Sequence, residues 1–380
     1  MKTVLFVIPS LKTGGTNSSL DALYVQLKES YSIHVLSISH QPRNHNYSFD
    51  EVLLKQNVVL SLLFSDFTYQ KGALRVYAFL LKTIQSVSRV FGVNLGLFYA
   101  KRIVRKMESK TQYDYVVGFQ EGYATKITSF FCNPNKIAWI HCNYDTYMPQ
   151  GQSEEAMYSV FQKIVCVSEY TSMVFSRRYP SLSSRVWMIN NLIDAEKIRN
   201  LANTSLDDPL FVSNGLTILS AGRFSSIKRF RSIPGIASNL KSRGLRFTWY
   251  ILGPKDGSDE YVVYMNNLNK YDVQDCVVWL GNKSNPFPYF KAADLYVCLS
   301  ESEACPMVFK EAKLFGLPIV TTDFPSSYEF INDGEGSIVP FENIVDAIET
   351  AMKKLMDGYC VHPSIEDSRE LLERIHHLFD

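Results

Sequence analysis

The chain has no CxxC pair and no Cys/His spacing that would hold zinc, although seven cysteines are spread along its 380 residues, at 132, 142, 166, 276, 298, 305 and 360. An odd number at wide intervals speaks against a disulfide framework and a structural metal, and points to buried thiols in a reducing cytoplasm. G-x-G-x-x-G and G-x-x-x-x-G-K-[ST] are absent too, which leaves a nicotinamide dehydrogenase or a P-loop enzyme without its phosphate cradle. No charge-free apolar run approaches the ~18 residues that a membrane-spanning helix needs. The N-terminal "MKTVLFVIPSLKTGG" is short, lacks a small-residue cleavage site and leads into glycines, so it reads as a first strand and not as a signal peptide. The chain is expected to be soluble or bound at a membrane surface. It has neither an internal repeat nor a low-complexity tract.

What is present fits an ordinary globular protein of two domains, with 46% hydrophobic and 20% charged residues. A net charge of only +1 hides a division. Through residue 195 there are 20 Lys and Arg against 13 Asp and Glu, and beyond it 19 against 25. Such asymmetry suggests that the first half faces an anionic partner.

Continuous apolar, β-branched runs of the buried parallel-strand type alternate with helix-length segments. They lie at 3–9, 32–39, 115–119, 136–141 and 163–168, and again at 216–222, 247–253, 277–281, 294–300 and 318–322. Both halves therefore read as doubly wound α/β sheets, with a boundary near residues 190–215 where polar and turn-forming residues interrupt the pattern.

In such sheets ligands sit at the carboxyl ends of the strands. After the first run comes "PSLKTGGTNSS", where Gly14 and Gly15 permit a close backbone turn and Thr16, Asn17 and Ser18 are candidate helix caps. By itself this stretch fits a plain βα turn equally well. "SAGRFSSIKRF" places Gly222, Arg223 and Lys228 around one loop, two cations that suit a diphosphate or form a solvated basic loop. The third motif, "ESEACPMVFKEAKLFGLPIVTTD", carries more. Pro306 suits the first position of a helix that ends at Gly316, leaving Glu303 in the loop before it and Glu311 about one and a half turns inside. Free amides near Met307 and Val308 would make an anion pocket with a carboxylate on either side. A sugar nucleotide asks for this set, because its diphosphate needs amides and cations and its hydroxyls need acceptors.

The Glu303/Glu311 pair, "GRFSSIK", the paired glycines and "NNLID" near the boundary resemble the retaining glycosyltransferases of family 4 over nearly the whole chain. The resemblance implies an α/β GT-B fold, two Rossmann-like domains facing across a cleft: an acceptor domain at 1–195, a nucleotide-sugar domain at 196–362, and a last helix at 363–380 that crosses back to the first domain. It also implies that Arg223 and Lys228 hold the donor diphosphate with Gly222 and the amides around Pro306, Met307 and Val308. Glu311 would hold the ribose, Glu303 the transferred sugar's hydroxyls, Gly14 and Gly15 the phosphates, and His141 the reacting sugar. No metal and no cofactor beyond the nucleotide-sugar co-substrate, UDP-linked by family frequency, is implied, and the absence of a D-x-D motif agrees. Departures are Ala304-Cys305 in place of a Gly-aromatic pair, and Arg229 where the family commonly has glycine.

The acceptor question returns to charge. Residues 69–110 contain nine Lys and Arg and one acid, Glu108. Arg75, Lys82 and Arg89 recur every seven positions, within about 40° on a helix, and Lys101, Arg102, Arg105 and Lys106 follow. The stretch reads as an interfacial helix on anionic lipid or as a solvated basic face. On the first reading the acceptor is a polyprenyl-diphosphate-linked saccharide or another membrane glycolipid, as in bacterial surface-polysaccharide assembly, and the protein is cytoplasmic and peripheral on the inner membrane face. No nucleic-acid partner is expected. The alternative is a catalytically silent GT-B protein serving as a binding subunit.

Overall fold

The computed structural model describes residues 1–11, 14–39, 47–49, 62–63, 72–212, 215–255, 259–364 and 368–380. The chain divides into two compact units, Met1–Leu192 with Ser368–Asp380, and Ile193–Asp367.

Unit 1 is built on β1 (Lys2–Ser10), β2 (Tyr31–Ser39), β3 (Tyr115–Gly118), β4 (Lys136–Ile140), β5 (Lys163–Cys166) and β6 (Val186–Met188). They form one sheet in the order β2-β1-β3-β4-β5-β6, every pair parallel. Val4 to Ile8 are wholly buried, as expected of a central parallel strand covered on both faces. Among described helices of eight residues or more, unit 1 holds α1 (Gly15–Leu27), α2 (Ala73–Val90), α3 (Leu95–Glu108), α4 (Glu169–Arg178) and the last helix of the chain. Gly92, at φ +72°, ends α2: the Val93 amide returns to the Ser88 carbonyl at 2.9 Å, a left-handed C-terminal turn that glycine takes without steric cost.

Unit 2 repeats the scheme with β7 (Leu216–Ala221), β8 (Phe247–Leu252), β9 (Val277–Gly281), β10 (Leu295–Cys298), β11 (Ile319–Thr322) and β12 (Gly336–Val339), in the order β12-β11-β10-β7-β8-β9 and again all parallel. Its helices are α5 (Ala195–Ala202), α6 (Ile233–Ser242), α7 (Asp259–Tyr271), α8 (Met307–Leu314) and α9 (Ile344–Met356). Trp249, Ile251, Val297 and Val320 of the sheet meet Ile233, Leu240, Tyr264, Ile348 and Met352 of the helices in one core.

Strand order reverses once in each sheet, between β1 and β3 and between β7 and β10. The carboxyl ends of those pairs are the crevices where doubly wound sheets take ligands. The ten runs read as strands are strands. The two strands not anticipated, β6 and β12, are edge strands of three and four residues whose side chains are mostly half-buried, so they carry no long apolar run. The thiols differ from expectation as well: Cys166, Cys276, Cys298 and Cys305 are buried, but Cys132 and Cys360 are exposed, because both lie in loops.

The last helix, α10 (Ser368–Leu378), belongs to unit 1. Its terminal carbonyls, left over by the helix pattern, accept from two strand lysines: Lys2 Nζ reaches Phe379 O at 2.6 Å and Lys163 Nζ reaches Leu378 O at 2.7 Å. The Phe379 ring is fully buried, with its centroid 5.3 Å from the rings of Tyr31 and Tyr115. Phe379→Ala is expected to remove about 3–5 kcal/mol of stability through the cavity left behind. A thermal unfolding midpoint within a degree or two of the parent's would show that α10 is not part of this core.

Candidate functional site

At the reversal point of unit 2, the loop after β7 carries Gly222, Arg223 and Lys228, and the loop after β10 carries Ser300 to Pro306. The first loop is pressed against the next strand: the Gly222 amide donates to Leu252 O at 2.9 Å, and a Cβ on Gly253 would fall 1.8 Å from the Gly222 carbonyl oxygen. The two loops are then tied together. Lys228 Nζ is paired with Glu303 Oε1, the same oxygen accepts from Ser300 Oγ at 2.7 Å, and the Glu301 amide donates to Ile227 O at 2.8 Å. Ser326 Oγ holds the Glu303 carbonyl at 2.7 Å. Burial disfavours the Lys228 charge, but the Glu303 carboxylate more than offsets this and holds the ammonium above its ordinary range.

Arg229, one of the two departures from the resembled pattern, is left-handed at φ +53°. Left-handed backbone costs a residue with a Cβ on the order of 1 kcal/mol. Its guanidinium donates from Nε to Glu301 Oε1 at 2.7 Å and lies 4.6 Å from the centroid of the Phe341 ring. These contacts offset the strain that glycine would avoid.

Arg223 differs from Lys228. It is exposed and makes no hydrogen bond or ion pair among the described residues, so a ligand anion meets no protein competitor there. The α8 start is open too, since no side chain caps it. Pro306 sits at the N-cap with extended backbone instead of at the first helical position, and the Phe309 amide returns to its carbonyl at 3.0 Å, leaving the Met307 and Val308 amides at the helix mouth. Glu311 lies one turn further in and has no hydrogen-bond or ion-pair partner among the described residues. Its carboxyl is pushed up to about 7 by burial, against the pull of the Lys228 ammonium. Arg223, Lys228, Glu303 and Glu311 are thus assembled in one unit around a helix N-terminus, an arrangement able to take a diphosphate and hydroxyl donors.

Unit 1 presents a second set at the carboxyl ends of its central strands. Helix α1 starts at Gly15 with Gly14 at its N-cap, so Thr16, Asn17 and Ser18 lie inside the helix and not at the cap position; Asn17 Nδ2 donates to Ser10 O at 2.8 Å. Gly14 is in extended backbone at φ 168°, and a Cβ there would meet nothing within 4 Å, so the local chain geometry does not itself demand glycine. His141 follows β4. Both its ring nitrogens are buried without a hydrogen-bond partner among the described residues. Burial pushes the imidazole down to about 3, with the Asn191 side chain near enough to pull it slightly back, so the ring is neutral throughout the physiological range. Its backbone amide donates to Glu121 Oε2 at 2.9 Å, and Glu121 is itself held above the ordinary carboxylate range by burial.

Sequence reasoning passed over Glu121. The signal was available in "YVVGFQEGY": an acid three residues beyond a strand that borders the reversal point, followed by Gly122 at φ +78°. Of the basic stretch, Arg75 and Lys82 lie on α2 and Lys101, Arg102, Arg105 and Lys106 on α3, whereas residues 69–71 and the Arg89 side chain fall outside the described residues. Among the described residues no cluster of three His, Cys, Asp or Glu has the placement to hold a metal ion.

Two reversed parallel sheets with these loops define the GT-B class of α/β proteins. HepE of Anabaena, solved with UDP, superposes with a TM-score of 0.62 at 15% identity over 100% of this chain and 96% of that one. A mutant of S. aureus TarM, solved in complex with Fondaparinux, alpha-GlcNAc-glycerol and UDP, gives 0.67 at 11% identity over 100% of both chains. Residues 204–372 match the family model Glycosyl transferases group 1. Among curated relatives, an uncharacterized glycosyltransferase of Methanocaldococcus jannaschii is 23% identical over 52% of this chain and 50% of its own length. The amylovoran biosynthesis glycosyltransferase AmsD of Erwinia amylovora is 22% identical over 49% and 50%. The chain spans about half the length of these relatives.

Glu311 makes a test that needs no substrate. An unfolded glutamate titrates near 4.5, so the native state binds this proton more tightly; the cost of ionising it is absent below that pH and complete above about pH 7. Glu311→Gln is expected to unfold at a higher temperature than the parent near pH 8, by about 1–3 kcal/mol of stability, and at the same temperature near pH 4. A difference that does not change with pH would contradict the raised carboxyl.

Proposed function

We propose that the protein is a retaining glycosyltransferase that moves a sugar from a nucleotide diphosphate donor, UDP-linked, to a membrane-associated saccharide or glycolipid acceptor in bacterial surface-polysaccharide synthesis. The observation that carries this reading is the gathering of Arg223 and Glu311, both without a partner among the described residues, with the Lys228–Glu303 pair at the reversal point of the segment that matches the group 1 model. The donor class is supported by UDP in the HepE and TarM structures. The acceptor class is supported by AmsD and by the O-antigen glycosyltransferase WbnH of Escherichia coli, 28% identical over 37% of this chain.

On this reading Arg223, Lys228, the Gly222 loop and the Met307 and Val308 amides stabilise the departing diphosphate, charge-assisted contacts that strengthen as the glycosidic bond breaks. Glu311 accepts from ribose hydroxyls. Glu303 accepts from the transferred sugar with the lone pairs that Lys228 and Ser300 leave free. Gly14 and Gly15 keep the mouth of α1 clear of side chains, and His141 acts as a neutral hydrogen-bonding group. The leaving oxygen takes the acceptor's proton on the face it has just vacated, so the new bond keeps the old configuration and no carboxylate need act as nucleophile.

Lys228→Ala is expected to lower turnover with UDP-sugars at least ~100-fold and to weaken UDP binding. Unchanged turnover and affinity would remove Lys228 from the site. Glu311→Ala is expected to weaken free UDP, and Glu303→Gln to lower turnover while leaving UDP affinity near the parent's; identical behaviour of the two toward UDP would contradict the division of roles. Because His141 stays neutral, His141→Ala should lower turnover without changing the shape of the pH profile between about pH 5 and 8. Loss of a limb near pH 6.5 would mean that the ring titrates in the ordinary range.

A further inference from the structure

Helix α2 is amphipathic the wrong way round for a water-soluble surface. Its buried side carries Ala78, fully buried, and Gln85, 4% exposed. Its outer side carries Val76, Phe79, Leu80, Ile84, Val87 and Val90, from 53% exposed at Leu80 to 83% at Val90. At about 100° per residue these six fall within an arc of about 140°, with Ala78 and Gln85 opposite its centre. The one hydroxyl inside the arc, Thr83, donates to Phe79 O at 3.0 Å and so needs no water. Just before the Gly92 turn Phe91 is 79% exposed, and on α3 Phe98 is 65% exposed. An exposed apolar face of this extent on one helix marks an interaction surface.

Its rim is basic. Arg75 and Lys82 flank the arc on the Phe79 side, and Lys101, Arg102 and Arg105 are exposed on α3. Neither α2 nor the turn after it contains an acid, and Glu108 is the single one between residues 69 and 110. Two copies meeting through this face would bring their cations together without acids to match. An anionic lipid surface supplies both what the arc and what the rim require, an acyl boundary and phosphates. No described helix is long and apolar enough to cross a membrane, which leaves attachment in the plane.

We infer that α2 and the turn after it lie in the headgroup layer of an anionic bilayer, with Phe79, Leu80, Val87 and Phe91 entering the acyl boundary and the Arg75, Lys82 and α3 cations on lipid phosphates. The inference deepens the proposed acceptor class, but its test reads binding and needs no turnover. The full chain is floated with vesicles of mixed phosphatidylglycerol and phosphatidylcholine, and with phosphatidylcholine alone. The parent is expected to float with the mixed vesicles. Phe79→Ser/Leu80→Ser/Val87→Ser should lower its partition at least tenfold, and Arg75→Glu/Lys82→Glu should abolish the preference for phosphatidylglycerol. Both variants alter exposed or rim positions and are expected to keep the parent's unfolding temperature. Failure of the parent to float, or flotation of the serine variant at the parent's level, overturns the inference. So does sedimentation velocity showing that the parent self-associates and the serine variant does not, with no vesicle binding. Vesicle binding in a protein that transfers no sugar would leave this surface standing and sink the proposed function; transfer to soluble acceptors without vesicle binding would do the reverse.

Discussion

Lys228 and Glu303 stand 75 positions apart in the chain, and their ion pair sets where the loop after β7 meets the loop after β10. Neighbouring bonds all run to the same junction: Ser300 to the shared carboxylate oxygen, Ser326 to the Glu303 carbonyl, and Glu301 to the Ile227 carbonyl. Both side chains are about one-fifth exposed, so desolvation consumes much of the Coulomb gain and the pair adds little net stability. Its value is positional. It holds a cation and an acceptor side by side before any ligand arrives, which is the preorganisation that electrostatic stabilisation of a developing charge requires.

Each unit carries a group that burial penalises. Glu311 is driven toward its neutral form, and both His141 ring nitrogens lack partners among the described residues. A folded core tolerates few such groups, since each forfeits hydration without replacing it. Their placement beside the carboxyl ends of strands, with the cores elsewhere filled by Trp249, Val297, Ile140 and Phe175, concentrates the cost where doubly wound sheets generally take ligands. Arg229 shows the same economy at the backbone level, a left-handed residue held by its contacts to Glu301 and Phe341.

α2 departs from this logic on the outside of the molecule. Its inward face is small and polar and its outward face apolar, so folding leaves hydrophobic surface exposed to solvent. Packing of α3 is conventional by comparison, with Gly96, Ala100 and Val104 buried and the cations outward.

How much could be read before folding depends on whether a property is local. Parallel strands buried on both faces must be continuous apolar runs, so β1, β4, β8 and β10 were legible, and so were the glycine- and proline-marked turns that follow strands. Edge strands β6 and β12 bury only part of their side chains and left no such run. The residue types of the site were legible for the same local reason: Arg223, Lys228, Glu303 and Glu311 occupy strand-end loops and a helix start whose positions follow from the pattern. Their relations were not. That Lys228 is held by Glu303 while Arg223 has no partner among the described residues, that burial raises Glu311 and keeps His141 neutral, that Glu121 supports the His141 backbone, and that the apolar side of α2 faces outward all depend on which segments a three-dimensional packing brings together. Periodicity on a helix gives the angle between side chains but not which of its faces the core will take, and a charge in a sequence has no dielectric until neighbours surround it.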